Sequence, residues 1–414
     1  MKKLLVIANP YPPMASAGTT RVVRFLRHLP DEGWEPSVLT ARSKGPAAVP
    51  AGVRVARAAV PWPRQLLGGG RRSTRVNRWV AVPDPYFAWV GPAVLKGRAI
   101  FARERFDMIF SSSPRASAHL VAAVLSEHAG LPWLADYRDP WSTYQFRHYP
   151  TPAHKAAHAR LEAWALSRAT AVTAVNRPIV DDLVARHPWL DGRAHVLPNG
   201  FDRTEQPADV SLGDGFWIVH TGRLYGREQQ VAAFLEALAG LPAEVKALFV
   251  GVDEGRVRPD ADRFGLGDRV RVEPFVPLPV ALGYQRAAGA LLLVNGRRPE
   301  SMSSKVFEYL QAGRPIFAIS PAASAARGLF EEVGGGTCVL PDDPMREPLA
   351  AFVAAARDDE APVADPAALE RYEFGNLTAQ LAGILDDLAA YPWVADPDDR
   401  EPMPEAGAPP RAGA

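Results

Sequence analysis

The sequence predicts an α/β protein made of two successive blocks, each built from parallel strands and covering helices. Short apolar runs alternate with amphipathic segments of helical period, which is typical of βαβ units. This alternation restarts after Asn199-Gly200, and several of the 40 prolines lie beside predicted strand ends. A chain of 414 residues has room for two or three domains, and the restart indicates two.

Strands and helices follow one another regularly in the first block. Strands are predicted at 4–8, 35–40, 107–111, 132–135 and 171–175. Helices are predicted after a cap at Thr19 or Thr20, with apolar residues as far as Leu29 on one face, and at 118–129, 159–168 and 179–185. In the second block, strands are predicted at 216–220, 245–251, 270–275, 290–294, 315–319 and 338–340, with helices at 228–239, 304–312 and 378–388. We interpret the Arg-, Pro- and Gly-rich segment 46–78 as a mobile loop.

The predicted domains are Rossmann-like and cover residues 1–200 and 201–375. A helix at 376–394 is expected to cross back to the first domain, and the Pro-rich tail 395–414 is expected to be disordered. In such a protein a ligand is expected in the cleft between the domains, where the strand carboxyl ends meet.

Charge and cysteine content exclude several functional classes. The chain has 47 Lys and Arg against 46 Asp and Glu, so bulk positive charge for nucleic-acid binding is absent. The single cysteine, Cys338, excludes an intrachain disulfide and a multi-cysteine metal site. The apolar run at 4–8 is better interpreted as a buried strand than as a signal peptide, and no run approaches the roughly 18 apolar residues of a membrane span. We therefore expect a cytoplasmic protein.

The segment from Pro299 to Pro315 carries the clearest chemical signal. Ser303 or Ser304 is predicted to cap a helix, whose N-terminus would suit a phosphate. Glu300 lies in the loop before this helix and Glu308 just over one turn inside it. The second carboxylate can accept hydrogen bonds from diol hydroxyls. The alternative is two ordinary glutamates, favoured only by the helix dipole.

Basic residues follow the first strand of the second block. Arg223 and Arg227 stand at its carboxyl end, where two cations would suit a diphosphate. Gly222 and Gly226 would let the backbone approach a ligand closely. The alternative is that both arginines are solvated loop residues.

Together these motifs resemble the family-four retaining glycosyltransferases, which have the two-domain GT-B architecture. Glu300 and Glu308 match the Glu-x7-Glu spacing of that family. The segments 197–202 and 221–223 resemble its interdomain "PNGvD" and "GR" segments. The resemblance covers about residues 1–390.

The resemblance implies a role for each matched residue of the second block. Glu308 would bind the ribose hydroxyls, Glu300 the donor sugar, and Arg223 the diphosphate together with the backbone of Ser303 and Ser304. In the family, a Lys usually follows the Arg by five or six residues. Here Arg227 follows Arg223 by four, and we assign it as the second cation.

Loops of the first block, on the acceptor side, carry two further candidates. Gly18 matches the glycine of the family's loop near the donor phosphate and the acceptor, with an ordinary strand–helix connection as the alternative. Asp139, in the Asp136–Trp141 cluster, would orient or deprotonate an acceptor hydroxyl. The alternative for Asp139 is a structural Asp–Arg pair.

The implied function is metal-independent hexosyl transfer with retention, from a nucleotide-diphosphate sugar to a hydroxyl acceptor. The acceptor would be a glycan, a lipid-linked glycan or a natural product, in surface-polysaccharide or secondary-metabolite biosynthesis. No cofactor and no metal are expected, because the nucleotide sugar is a substrate and no Asp-x-Asp stands in a convincing strand-end loop. The alternatives are a nucleotide-sugar epimerase or phosphorylase and a non-catalytic nucleotide-sugar-binding subunit.

A cluster of arginines suggests a membrane surface as a further partner. Arg71, Arg72 and Arg75 are expected to contact anionic lipid, which would place the protein peripherally at the inner membrane face. A solvated basic loop is the alternative.

Overall fold

The computed structural model describes residues 1–14, 17–45, 49–61, 71–144, 147–224, 226–295 and 302–390, apart from the side chains of residues 17 and 71–75. The chain divides into two compact units. Unit 1 consists of residues 1–198 and the chain from 377 onward, and unit 2 of residues 199–376. The first boundary lies at Pro198-Asn199, beside the Asn199-Gly200 step where the strand–helix pattern restarts.

Unit 1 contains a seven-stranded sheet with helices between its strands. The strands are β1 Lys2–Ala8, β2 Trp34–Ala41, β3 Arg54–Ala58, β4 Met108–Ser112, β5 Trp133–Tyr137, β6 Ala171–Ala174 and β7 Ala194–Val196. The helices are α1 Ala17–His28, α2 Arg71–Val80, α3 Val90–Phe101, α4 Ala116–Ala129, α5 Pro152–Leu166 and α6 Arg177–Arg186.

The strands of unit 1 pair in parallel in the order β3-β2-β1-β4-β5-β6-β7. Strands β4 and β5 are buried along their whole length, as expected for a parallel sheet covered on both faces. The order reverses between β1 and β4, and ligands of such sheets bind outside the carboxyl ends at this point. We call this place the switch point of unit 1.

Unit 2 repeats the same arrangement with six strands. They are β8 Phe216–Thr221, β9 Val245–Val250, β10 Val270–Glu273, β11 Ala290–Val294, β12 Ile316–Ile319 and β13 Gly336–Val339. The helices are α7 Glu228–Ala239, α8 Arg258–Arg263, α9 Leu278–Ala287, α10 Lys305–Gln311, α11 Ala325–Val333, α12 Arg346–Arg357 and α13 Pro366–Leu369.

The parallel strands of unit 2 follow the order β10-β9-β8-β11-β12-β13. Its switch point therefore lies at the carboxyl ends of β8 and β11. Successive residues of β11 enter separate hydrophobic clusters, Leu292 and Val294 in one, Leu291 and Leu293 in the other. This alternation is expected for a strand with both faces covered, so the predicted α/β class is confirmed.

A last helix, α14, spans Phe374–Ala389 and returns the chain to unit 1. Its residues Leu381, Leu385 and Leu388 are fully buried. Asp386 accepts a hydrogen bond from Trp34 Nε1 at 2.9 Å. Unit 1 is thus assembled from both ends of the described chain. Among the described residues, no helix is both long and apolar enough to cross a membrane.

The prediction of one loop across 46–78 is wrong. Strand β3 lies inside this segment and pairs with β2, and helix α2 begins at Arg71. The strand was missed because its sequence, Arg-Val-Ala-Arg-Ala, lies at the sheet edge, where an apolar run is not required. The predicted tail 395–414 lies outside the described residues.

Candidate active site

The switch point of unit 2 brings the predicted basic residues to the strand ends. Gly222 follows β8 directly and adopts a φ of +111°, which strongly favours glycine. Arg223 comes next and is exposed. Arg227 is partly buried, and its Nη1 donates a hydrogen bond to the carbonyl of Val294 at 2.7 Å. This hydrogen bond connects the loop after β8 to the end of β11.

A pocket of about 380 Å³ opens beside Arg223. It is lined by the loop after β8, including Gly226, and by the loop after β9, including Gly251 and Asp253. Its volume lies within the range typical of small-molecule sites. An ion pair joins Arg256 on its wall to Glu228.

The second predicted carboxylate, Glu308, lies on α10 and is 7% exposed. Gln285 Nε2 lies 3.5 Å from Glu308 Oε2 and also donates to Thr221 Oγ1 at 2.9 Å. Tyr309 Oη accepts a hydrogen bond from the Thr221 amide at 2.7 Å. These bonds tie α10 to the end of β8, so Glu308 belongs to the same switch point as Arg223.

Lys305 is a residue at this switch point that sequence reasoning missed. Its side chain crosses Gly222 so closely that a Cβ there would lie 2.1 Å from Lys305 Cε. Its Nζ lies 3.9 Å from Glu308 Oε2. The spacing of three residues was the available signal, because residues at i and i+3 share a helix face.

His220 lies under these charges as a neutral side chain. Burial lowers the pKa of His220 to about 4, and the positive charges of Lys305 and Arg227 act in the same direction. Its ring nitrogens lie 3.0 Å from the carbonyl of Leu292 and 3.2 Å from that of Gly222. A neutral imidazole carries a single N–H, so the ring donates a hydrogen bond to one of these two carbonyls.

The predicted helix cap at the start of α10 takes a different form. Ser304 occupies the N-cap position, but its side chain makes no capping hydrogen bond. Instead the Lys305 amide lies 3.4 Å from Ser303 Oγ, and the Ser303 amide 3.3 Å from Asn295 Oδ1. These contacts attach the start of α10 to the loop after β11. Glu300 lies outside the described residues.

Protein groups pack closely at the switch point of unit 1. Gly18 is buried, and a Cβ there would lie 2.5 Å from Pro114 Cδ. Gly18 therefore allows the start of α1 to pack against the loop after β4. Ser113 Oγ accepts a hydrogen bond from the Arg138 amide at 2.7 Å. This bond joins the loop after β4 to the loop after β5.

A fully buried ion pair lies next to this region. Arg21 donates to both carboxylate oxygens of Asp136, at 3.0 and 2.8 Å, and the two side chains are 1% and 0% exposed. Ser112 and Thr173 donate to the same carboxylate at 2.6 and 2.9 Å. Although burial alone raises it, the Arg21 charge and these hydrogen bonds hold the pKa of Asp136 below its usual value. Asp136 thus has a structural role.

Asp139 differs from Asp136 in exposure and in partners. It forms an ion pair with Arg138 at 3.0 Å, and their side chains are 27% and 22% exposed. The described contacts of Asp139 therefore fit the structural Asp–Arg pair. The pair remains partly open to solvent, and a role of Asp139 toward an acceptor stays a prediction.

The arginines predicted to meet lipid are only partly described. Arg71, Arg72 and Arg75 begin helix α2, but their side chains lie outside the described part of the chain. The end of the same helix exposes Trp79 and Val80, at 55% and 51%.

Comparison with known proteins agrees with this architecture. Residues 16–200 match the family model described as a glycosyl transferase 4-like domain. The chain is 29% identical over 238 residues to D-inositol 3-phosphate glycosyltransferase 1 of Catenulispora acidiphila. That stretch covers 51% of this chain and 51% of the relative, so the chain matches about half the length of this curated protein.

Two solved structures share the fold at low sequence identity. Anabaena Alr3699/HepE in complex with UDP and glucose gives a TM-score of 0.63 at 17% identity, covering 93% of this chain and 100% of that one. Sucrose-phosphate synthase (tll1590) from Thermosynechococcus elongatus gives 0.63 at 17% identity, covering 94% and 96%. Residues 16–200 therefore resemble a glycosyl transferase 4-like domain, and the chain has the GT-B fold. The predicted family-four likeness is confirmed for these residues.

Proposed function

We propose that this protein is a retaining glycosyltransferase that moves a sugar from a nucleotide-diphosphate sugar to a hydroxyl acceptor. One observation carries the proposal: the exposed Arg223, its pocket and the buried Glu308 meet at the switch point of unit 2. A cation suits a diphosphate, and a carboxylate suits a pair of ribose hydroxyls. The glycosyl transferase 4-like domain at 16–200 supports the same assignment.

In this proposal the chain acts by binding and by electrostatics. Arg223 holds the diphosphate and stabilises the charge that develops on it as the bond to the sugar breaks. Glu308 orients the nucleoside through its ribose. The acceptor oxygen then bonds to the anomeric carbon on the face from which the phosphate departs, and the leaving phosphate oxygen takes the acceptor proton.

Two further roles rest on the family resemblance. Glu300 is proposed to contact the donor sugar, and Asp139 to orient the acceptor hydroxyl. No metal is proposed, since the positive charges of the protein face the diphosphate. A surface glycan, a lipid-linked glycan and a hydroxylated natural product are the proposed acceptor classes.

The test begins with a thermal-shift screen of UDP-, GDP- and ADP-sugars, because a bound donor raises the melting temperature. Donors that bind are then incubated with a panel of hydroxyl acceptors, and the anomeric configuration of the product is read by NMR. We expect nucleoside diphosphate release that depends on acceptor, with retained configuration. Nucleotide release without acceptor would favour an epimerase or phosphorylase, and binding without turnover a non-catalytic subunit.

We also propose that helix α2 contacts anionic lipid. Arg78, Trp79 and Val80 are exposed at its end, and a basic amphipathic helix with an exposed Trp suits a membrane interface. Sedimentation with phosphatidylglycerol vesicles should exceed that with phosphatidylcholine vesicles. Equal sedimentation with both would contradict this proposal.

A further inference from the structure

We propose that Lys305 is the second cation that binds the donor diphosphate, in the place that the sequence assigned to Arg227. The inference rests on the proposed function and identifies a further binding residue for it. Three properties of Lys305 carry the proposal: its position across Gly222, its exposure, and the engagement of Arg227 elsewhere.

The position of Lys305 places its charge beside the pocket. Its side chain lies over Gly222, since a Cβ on that residue would come within 3.2 Å of Lys305 Nζ. Gly222 also adjoins Gly251, a residue of the pocket lining, and Arg223 follows Gly222 in the chain. Lys305 and the pocket that Arg223 lines therefore both border Gly222.

The exposure of Lys305 leaves its charge within reach of a ligand. Its side chain is 31% exposed, and the 3.9 Å between its Nζ and Glu308 Oε2 exceeds a hydrogen-bond distance. A lysine ammonium carries three donors on a flexible stem. It can therefore turn toward a phosphate oxygen without breaking a hydrogen bond to Glu308.

Arg227 is held in a different way. Its guanidinium donates to the Val294 carbonyl at 2.7 Å and is partly buried. Moving Arg227 to a ligand would remove this link between the loop after β8 and the end of β11. Arg227 thus acts as a positioning residue for the loop that carries Arg223, and Lys305 supplies the reachable charge.

The test compares ligands that differ only in the diphosphate. Dissociation constants are measured by calorimetry for UDP, GDP and ADP and for the matching nucleosides, with wild type, Lys305→Met and Lys305→Arg. For the nucleotide that binds wild type best, we expect Lys305→Met to weaken diphosphate binding about tenfold and nucleoside binding less than about twofold. Lys305→Arg keeps the positive charge and should recover most of the affinity.

The matched control is Lys246→Met. Lys246 lies at the amino end of β9, where its Nζ donates to the Asp214 carbonyl at 3.0 Å, and its loss should leave both affinities unchanged. Equal diphosphate affinity in wild type and Lys305→Met would overturn this inference alone. A parallel loss of nucleoside and diphosphate binding would also overturn it, because the role would then be structural. Failure of wild type to bind any of the three diphosphates would overturn the proposed function as well.

Discussion

The two units reverse their strand order at equivalent places, between β1 and β4 in unit 1 and between β8 and β11 in unit 2, but they fill those places differently. In unit 1, Arg21 and Asp136 are 1% and 0% exposed, and other protein groups complete their hydrogen bonds. In unit 2, Lys305 is 31% exposed, and a pocket opens beside Arg223. Charged side chains beside the strand ends are therefore structural where protein groups enclose them, and they are accessible to a ligand where solvent reaches them.

The largest expected effect is on stability and comes from removing one partner of the buried ion pair of unit 1. Arg21→Met leaves Asp136 buried without its cation, which should lower the free energy of unfolding by roughly 3–5 kcal/mol. Urea denaturation would measure this change. Arg177→Met is the control, because Arg177 is 76% exposed in its pair with Asp181 and should cost less than about 1 kcal/mol. A similarly small loss for Arg21→Met would show that the two ion pairs do not differ as proposed.

At the switch point of unit 2, the main effect should fall on catalysis instead of stability. Arg223→Ala removes the charge that we propose faces the leaving diphosphate, and we expect kcat to fall about 100-fold. Steady-state kinetics with the identified donor would measure it. Arg314→Ala is the control, since Arg314 is exposed at the amino side of β12 and donates to the Arg286 carbonyl. Equal kcat for the two variants would remove Arg223 from the site.

Acidification should act alike on one buried histidine in each unit. Burial lowers the pKa of His119 in unit 1 and of His220 in unit 2 from 6.5 to about 4. Protonation therefore favours the unfolded chain, so the stability from each neutral ring is full above pH 6.5 and is lost as the pH falls toward 4. At pH 5 the loss is about 2 kcal/mol for each histidine.

The measurement is the change in unfolding free energy between pH 7 and pH 5. It should be smaller by about 2 kcal/mol in His119→Gln and in His220→Gln than in wild type. His128→Gln, at an exposed position, should keep the wild-type change. An unaltered pH dependence in either buried-site variant would show that its histidine is not held neutral.

The smallest effect sharpens the role of the carboxylate. Glu308→Gln keeps the shape of the side chain but removes the charge, and we expect nucleoside diphosphate binding to weaken about tenfold. Calorimetric titration would measure it, with the exposed Glu347→Gln as control. If Glu308→Gln bound as tightly as wild type, the carboxylate would have no role in holding the ribose.

Most strands of both units could be predicted, because a buried parallel strand has a short apolar run such as Leu291 to Val294, but the edge strands β3 and β7 were missed. The positions of Gly222 and Arg223 could be predicted because they follow a predicted strand, and that of Glu308 because it lies inside a predicted helix. The pairing of Arg21 with Asp136 could not be predicted, because the two residues lie 115 positions apart and only the sheet brings them together. Lys305 was missed because its place beside the pocket follows from its contact with Gly222, which is distant in the sequence.

The return of α14 to unit 1 has a consequence for protein synthesis. The buried Leu381, Leu385 and Leu388 belong to the unit whose first strand is made first. Unit 2 is continuous in sequence and can fold as soon as residue 376 has left the ribosome. Unit 1 must wait for α14, so the unit that is translated first is the second to be completed. A chain truncated after residue 376 would carry a complete unit 2 and an open apolar surface on unit 1.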